Sequence, residues 1–158
     1  DYIIFIHDDG FIVNPKSWSE EFLKFDYIGA PWPVPKIKYD KYFRDKENNL
    51  IRVGNSVSLR SKRLLELPSK LGLEWSDPHG YYHEDGYLCV QNRDILQKNG
   101  IKFADFQSSL NFSREKTLIQ NIGLKPFAFH KWSGMNLFFP CFNKTYQLKK
   151  LVNKFLNL

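Results

Sequence analysis

The sequence YIIFIHDDG, residues 2–10, is an apolar run that ends abruptly in His7, Asp8 and Asp9. An apolar run of this length, followed at once by charge, predicts a buried strand that delivers its C-terminal end to a site. In open α/β sheets, ligands bind beyond the carboxyl ends of the strands. The stretch therefore predicts an α/β fold with a site directly after this strand.

The residue types at the end of that strand are those of a metal site. Side chains alternate along a strand, so we expect His7 and Asp9 to point the same way and Asp8 the other way. An imidazole and a carboxylate two residues apart can share one divalent cation, and carboxylate oxygen suits Mg²⁺ or Mn²⁺. The alternative is a plain turn, in which Asp8, Asp9 and Gly10 have only a conformational role.

The composition sets limits on the class of protein. A chain of 158 residues with 42% hydrophobic residues fits one folded domain. Its net charge of +6 suits an anionic ligand, such as a nucleotide, a nucleic acid or an anionic membrane surface. The two cysteines have no metal-site spacing, which weakly favours the cytoplasm. Because the chain opens inside an expected core strand, we expect an N-terminal portion of the fold to be missing.

Alternating helical and strand patterns follow. We predict a helix opened by Asn14 or Ser17 and ending near Phe25, and an exposed loop over residues 36–49. The further predicted elements are a strand at 26–30, a helix capped by Ser61 and stopped by Pro68, a helix at 87–97 ended by Gly100, an edge strand at 101–106, a turn at 112–115, an apolar run at 127–130 and a basic amphipathic helix at 144–158.

Two further groups of polar residues lie beside apolar segments. Glu84 and Asp85 stand where a helix begins, and the helix dipole would keep Asp85 ionised and able to accept a proton. The ordinary alternative is that both acids only cap the helix. His130 ends an apolar run and is either a metal ligand or a hydrogen-bonded core histidine.

Other residues are candidates for substrate contact. Trp32 and Trp132 could stack on a sugar ring or could simply pack in the core. The pair Gly54 and Asn55 predicts a turn, although a glycine there would also let a ligand approach the backbone closely. The lysines of the C-terminal helix form either a solvated face or a membrane or nucleic-acid contact.

Taken together, these segments resemble a family of glycosyltransferase-like domains, catalogued as a domain of unknown function, whose fold is similar to the GT-A fold of nucleotide-sugar transferases. The resemblance covers residues 2–132. The segments that carry it, in order, are FIHDDGFIVNPKSW, FLKFDYIGAPWP, RVGNSVSLRS, HEDGYLC, IKFADFQSSLNFSRE and KPFAFHKW.

The resemblance implies a role for each candidate. Asp9 falls at the acid of the family's metal-binding motif, where His7 replaces the first carboxylate, and His130 matches a late histidine that completes the metal site. Glu84 and Asp85 match an acidic pair that supplies the catalytic base, here Asp85. Gly54 and Asn55 fall in the acceptor-side loop. The implied fold is a GT-A-like mixed sheet flanked by helices, incomplete at its N-terminus, with a catalytic domain at residues 1–143 and the basic helix at 144–158.

The implied function is transfer of a sugar from a nucleotide-sugar donor to a glycan or other acceptor hydroxyl, assisted by Mn²⁺ or Mg²⁺, with inversion favoured. Three alternatives stay open. The domain could be a catalytically silent glycan-binding or partner-binding module of the same fold. It could be a metal-dependent phosphoesterase that uses the same acids to activate water. It could also be a basic nucleic-acid-binding domain, although no recognised motif for that function is present.

Overall fold

The computed structural model describes residues 1–54, 57–75, 83–130 and 152. Within these ranges, helices surround two small three-stranded sheets, which gives the predicted α/β fold. The predicted C-terminal helix at 144–158 lies almost wholly outside the described residues, as do Asn55 and Trp132.

The first sheet has the strand order β1-β4-β3 and is antiparallel throughout. Its strands are β1 (Tyr2–Phe5), β3 (Tyr27–Ile28) and β4 (Ser58–Ser61). The prediction that the first strand is buried is wrong, because β1 is an edge strand and Ile3 is 52% exposed. The central strand is β4, whose four residues are all buried.

The second sheet has the order β2-β6-β5. Its strands are β2 (Phe11–Ile12), β5 (Ser113–Arg114) and β6 (Ala128–Phe129). Strand β6 pairs antiparallel with β2 and parallel with β5. The predicted apolar run at 127–130 is therefore the central strand. The predicted turn at 112–115 is instead strand β5, because its backbone hydrogen bonds go to β6.

The α-helices are α1 (Lys62–Lys70), α2 (Glu84–Gly86), α3 (Arg93–Lys98) and α4 (Phe106–Phe112), and a π-helical segment, Tyr87–Gln91, joins α2 to α3. Helix α1 begins as predicted, with the Ser61 side chain accepting from the Leu64 amide. The helix does not stop at Pro68, because a proline near the end of a helix removes only one amide donor. The Leu71 amide donates to the Leu67 carbonyl and closes the last turn.

Three other predicted elements differ from the structure. The predicted helix ending near Phe25 is two 3-10 helices, Pro15–Ser17 and Glu20–Lys24, since the Asn14 and Ser17 side chains bond to the backbone at 125–126 instead of capping a helix. The predicted helix at 87–97 is π-helical over Tyr87–Gln91 and α-helical only in α3. As predicted, the helix ends at Gly100, which has a positive φ of 82°. The predicted edge strand at 101–106 is reduced to one bridge between Tyr27 and Phe103.

The loop at 36–49 is more ordered than predicted. It contains the 3-10 helix Ile37–Tyr39, and Arg44 donates to Asp40 over 2.7 Å. Phe43 is only 7% exposed and packs edge-on against Trp32, with 5.2 Å between ring centroids. The aromatic anchor fixes this loop beside the candidate site.

The main core lies between the first sheet and the helices. Its largest fully buried members include Tyr27, Phe112 and Leu64, while Phe22 packs edge-on against Phe112. This aromatic core supports β6 and the start of α2, which carry the candidate site residues. Among the helices of the described residues, none is both long and apolar enough to cross a membrane.

Candidate functional site

A cleft of about 670 Å³ brings together the candidate residues from four separate segments. The predicted site residues that line it are His7, Asp9, Trp32, Glu84, Asp85 and His130. Asp8 is not among the lining residues. Strand alternation does not account for this, because β1 ends at Phe5 and the Gly10 amide donates to the His7 carbonyl over 2.9 Å in a turn. The structure therefore places six of the nine predicted site residues in one cavity, and a seventh, Gly54, directly beneath Trp32.

At one end of the cleft, the turn after β1 meets the end of β6. His130 Nε2 lies 2.7 Å from Asp9 Oδ1, and the His130 side chain is only 4% exposed. The His7 ring stands edge-on to the His130 ring with 5.3 Å between centroids. The His130 backbone N–H donates to Arg114 of β5, which fixes the position of the histidine. Two imidazoles and one carboxylate thus converge from distant parts of the sequence.

These three groups have the right donor chemistry for a divalent transition-metal ion, because imidazole nitrogen and carboxylate oxygen are common ligands of such ions. Here, Asp9 and His130 are bonded to each other. Within 1–54, 57–75 and 83–130, no group of three or more His, Cys, Asp or Glu side chains is arranged around a common point. The donor types fit a cation, and the Asp9–His130 contact would have to open to admit one.

A buried arginine holds one member of the acidic pair of the cleft in place. Arg60 of β4 donates from Nη2 to Glu84 Oε1 over 2.8 Å, and from Nε to Ser58 over 2.9 Å. Its guanidinium also lies over the Phe5 and Tyr27 rings, at 4.4 and 5.2 Å. The Arg60 side chain is 4% exposed, whereas that of Glu84 is 40% exposed. Arg60 therefore holds Glu84 from the buried side, and the Glu84 carboxylate lines the cleft.

The two neighbouring carboxyls have pKa values that move in opposite directions. Burial acts to raise the pKa of Glu84, but the hydrogen bond and the charge of Arg60 outweigh it, so this pKa lies below its ordinary value. Burial, and then the charge of Glu84, raise the pKa of Asp85. Two carboxyls with divergent pKa values are the pattern expected of groups with different acid–base roles. Asp85 is the stronger base of the pair.

The Trp32 indole lies directly over the Gly54 backbone. A Cβ atom at Gly54 would stand 2.1 Å from Trp32 Cζ2, which is far inside van der Waals contact. The Trp32 amide donates to the Arg52 carbonyl over 2.8 Å, and Arg52 Nε donates back to the Trp32 carbonyl over 3.1 Å, so the two segments are held together. The glycine is therefore needed for close packing of the ring, and this packing sets the orientation of the indole in the cleft wall.

Sequence reasoning missed Arg60 and the lysines of the cleft. Lys36, Lys38 and Lys116 line the same cavity as the acidic pair. The signal for Lys36 and Lys38 was their position directly after the proline-rich segment 31–35, which holds the chain extended. Arg60 gave a weaker signal, as a charged residue in an otherwise apolar and small-residue strand. Chemically, the cleft combines a base, an aromatic wall and cationic groups that suit an anionic ligand.

Comparison with known proteins gives a family but no function. A family model described as "Protein of unknown function (DUF5672)" matches residues 1–130, well over half of the chain. Neither a curated protein nor a solved structure matches the chain.

Proposed function

Since the chain belongs to this family of unknown function, we propose from its site that it is a glycosyltransferase. It would move a sugar from a nucleotide-sugar donor to an acceptor hydroxyl, with metal assistance and with inversion. The observation that carries the proposal is the meeting of the basic carboxylate Asp85, the cleft lysines and the His7–Asp9–His130 group in one cavity. A reaction in which a hydroxyl attacks and a diphosphate leaves requires this combination of a base and cationic groups.

In this proposal Asp85 takes the proton from the acceptor hydroxyl. The hydroxyl oxygen forms the new bond to the anomeric carbon as the bond from that carbon to the diphosphate breaks, and the electron pair leaves with the diphosphate. The Asp85 pKa is raised by burial and by Glu84, which makes its carboxylate a better proton acceptor. The role of Arg60 is to keep Glu84 ionised and in place.

Charge neutralisation of the departing diphosphate falls to Lys36, Lys38 and Lys116. A divalent cation, Mn²⁺ or Mg²⁺, would be held by Asp9 with His7 and His130, and when bound it would supply further positive charge to the phosphate oxygens. Trp32 offers an aromatic face on which a sugar ring can stack. Its packing over Gly54 keeps that face at the cleft wall.

The first experiment is calorimetric titration of UDP and GDP into the full chain, with and without Mn²⁺. We expect metal-dependent nucleotide binding that is lost in Asp9→Ala. The matched control is Asp8→Ala, because Asp8 is the neighbouring acid and does not line the cleft. Absence of nucleotide binding under every condition, or equal loss in both variants, would contradict the proposal. Binding would justify a screen of donor sugars, in which Asp85→Asn should abolish turnover and retain nucleotide affinity.

A second candidate function is a silent binding module with the same cleft. The direct contact between Asp9 and His130 favours it, because two of the three candidate metal ligands are bonded to each other. This alternative predicts glycan or nucleotide binding without turnover of any donor. It also predicts that Asp85→Asn leaves binding of the natural partner intact.

We also propose a cytoplasmic location for the domain. The support is the cysteine chemistry: Cys89 is a free thiol in the core, and burial raises its pKa well above the ordinary range. Such a thiol is inert and packs as a small apolar side chain. Fractionation of cells that express the full-length protein tests this location directly.

A further inference from the structure

Two loops beside the cleft carry the most exposed aliphatic side chains of the described chain. Ile37 is 95% exposed, Ile119 87%, Ile122 66% and Val34 64%, and every other large hydrophobic residue described is less exposed than these. Single exposed hydrophobic residues are ordinary on a protein surface. Here, however, the four most exposed ones fall in only two short segments, 34–37 and 119–122.

Lysines flank these aliphatic residues in both segments. Ile37 lies between Lys36 and Lys38 on a 3-10 helix. Ile119 and Ile122 lie on and just after the 3-10 helix Ile119–Asn121, with Lys116 before it and Lys125 after it. Val34, Lys36, Lys38 and Lys116 all line the cleft, so the two segments border the same cavity. We call residues 34–38 and 116–125 together the aliphatic rim.

The second rim segment is held in a compact shape, although its aliphatic side chains project outward. The Asn121 side chain donates to the Lys116 carbonyl over 2.8 Å and accepts from the Leu118 amide over 2.9 Å. Ser17 donates to the Lys125 carbonyl and so ties the end of the segment to the rest of the fold. These bonds hold the turn in shape, while Ile119 and Ile122 remain exposed to solvent.

We infer that the aliphatic rim binds the surface of an anionic lipid membrane. The isoleucines and Val34 enter the boundary between headgroups and acyl chains, Lys125 contacts anionic headgroups, and the charges of the other rim lysines add to the attraction of the rim for the surface. The net charge of +6 draws the whole chain to such a surface. A protein partner would bind a continuous apolar face, whereas separate aliphatic side chains between lysines are suited to the fluid surface of an anionic membrane. Because the rim borders the cleft, binding would bring the cavity to the lipid surface, whatever reaction it performs.

The test is sedimentation of the full chain with two kinds of vesicle. One kind contains phosphatidylcholine alone, and the other contains about one-third phosphatidylserine, which makes its surface anionic. We expect binding to the anionic vesicles alone. The variant Ile37→Ser/Ile119→Ser should weaken binding about tenfold or more, since two fully exposed aliphatic groups no longer enter the bilayer. The control is Ile95→Ser, because Ile95 lies on α3 and not at the rim.

A charge series completes the test. Lys36→Gln/Lys125→Gln should reduce binding and its salt dependence, and Lys62→Gln/Lys102→Gln, which removes equal charge elsewhere, should have a smaller effect. Three outcomes would overturn the inference: no binding to anionic vesicles, equal binding by the Ile37→Ser/Ile119→Ser variant, or equal loss in both lysine pairs. Nucleotide titration of the same rim isoleucine variant is expected to be unchanged, so failure of the membrane inference and failure of the proposed enzyme are distinguishable.

Discussion

His130 Nε2 lies 2.7 Å from Asp9 Oδ1, although the two residues are 121 positions apart in the sequence. The contact ties the end of the central strand β6 to the turn that follows β1, and it closes one end of the cleft. His130 is almost fully buried, and Asp9 is about one-third exposed. Asp9 is therefore both the partner of a buried imidazole and a group that a ligand can reach.

Asp9→Asn should destabilise the fold modestly, by about 1 kcal/mol, because it weakens a hydrogen bond to a buried histidine. Asp9→Ala should cost more, about 1–3 kcal/mol, since it leaves a buried imidazole nitrogen without its partner. Urea denaturation measures both values. Asp8→Asn is the control and should stay within about 0.5 kcal/mol of the parent chain. Equal effects at the two positions would mean that the Asp9–His130 contact does not stabilise the fold.

Glu84→Gln should destabilise the fold by about 1–3 kcal/mol, because Arg60 would keep its buried charge and lose its anionic partner. The stability of the parent chain should also depend on pH. Because the folded-state pKa of Glu84 lies below the ordinary value of 4.5, its contribution is present above that pH and is lost as the pH falls through the lowered value. The Glu84→Gln variant should lack this acid-side loss. Thermal melting across the range measures both effects.

The exposed pair of Lys24 and Glu21 provides a control for this prediction. Glu21→Gln should change stability by less than about 0.5 kcal/mol, as for most surface ion pairs.

The double variant Arg60→Met/Glu84→Gln should lose less stability than the sum of the losses in the two single variants, since both changes remove the same interaction. Strict additivity would contradict a direct coupling between Arg60 and Glu84.

Gly54→Ala should destabilise the chain by about 1–3 kcal/mol, because the added methyl group meets the Trp32 indole. It should also weaken ligand binding in the cleft, since the ring must move to make room. Adding Trp32→Ala should reduce the cost of the alanine, as the clash partner is then gone. Chemical denaturation of the two single variants and the double variant tests this coupling, and an unchanged cost in the Trp32→Ala background would contradict it.

The sequence predicted the class of the fold and identified six residues that line one cleft, because both depend on local patterns. The apolar run that ends in His130 became the central strand β6, and Ser61 caps helix α1 as expected. Asp9, His130, Glu84 and Asp85, each selected from the sequence because it lies beside an apolar segment, line one cleft.

What could not be predicted depends on tertiary contacts. The burial of β1 was predicted from its apolar residues, but burial depends on the neighbouring strands, and among the described residues β1 pairs with β4 alone. The segment after Asn14 carries helical spacing, yet the bonds from Asn14 and Ser17 to residues 125–126 divide it into two 3-10 helices. The role of Arg60 depends on a partner 24 positions away, which no local pattern reveals.

Asp85→Asn should separate activity from stability. If Asp85 is the base, turnover should fall by about 10²–10⁴-fold, the usual range for general-base removal. Stability should instead rise, because the raised pKa means that folding disfavours the ionised carboxyl. The destabilising effect of Asp85 in the parent chain develops as the pH rises from the ordinary pKa of 3.8 through the raised pKa, and it is complete above the raised pKa. The variant should therefore have a higher melting temperature than the parent at pH 7, and the difference between the two melting temperatures should shrink toward pH 3.

For the same reason, the turnover rate of the parent enzyme should fall as the pH is lowered, beginning at a pH above the ordinary aspartate pKa. A melting temperature that drops at pH 7 would contradict the electrostatic account of Asp85, and a variant that is more stable but fully active would remove Asp85 from the mechanism.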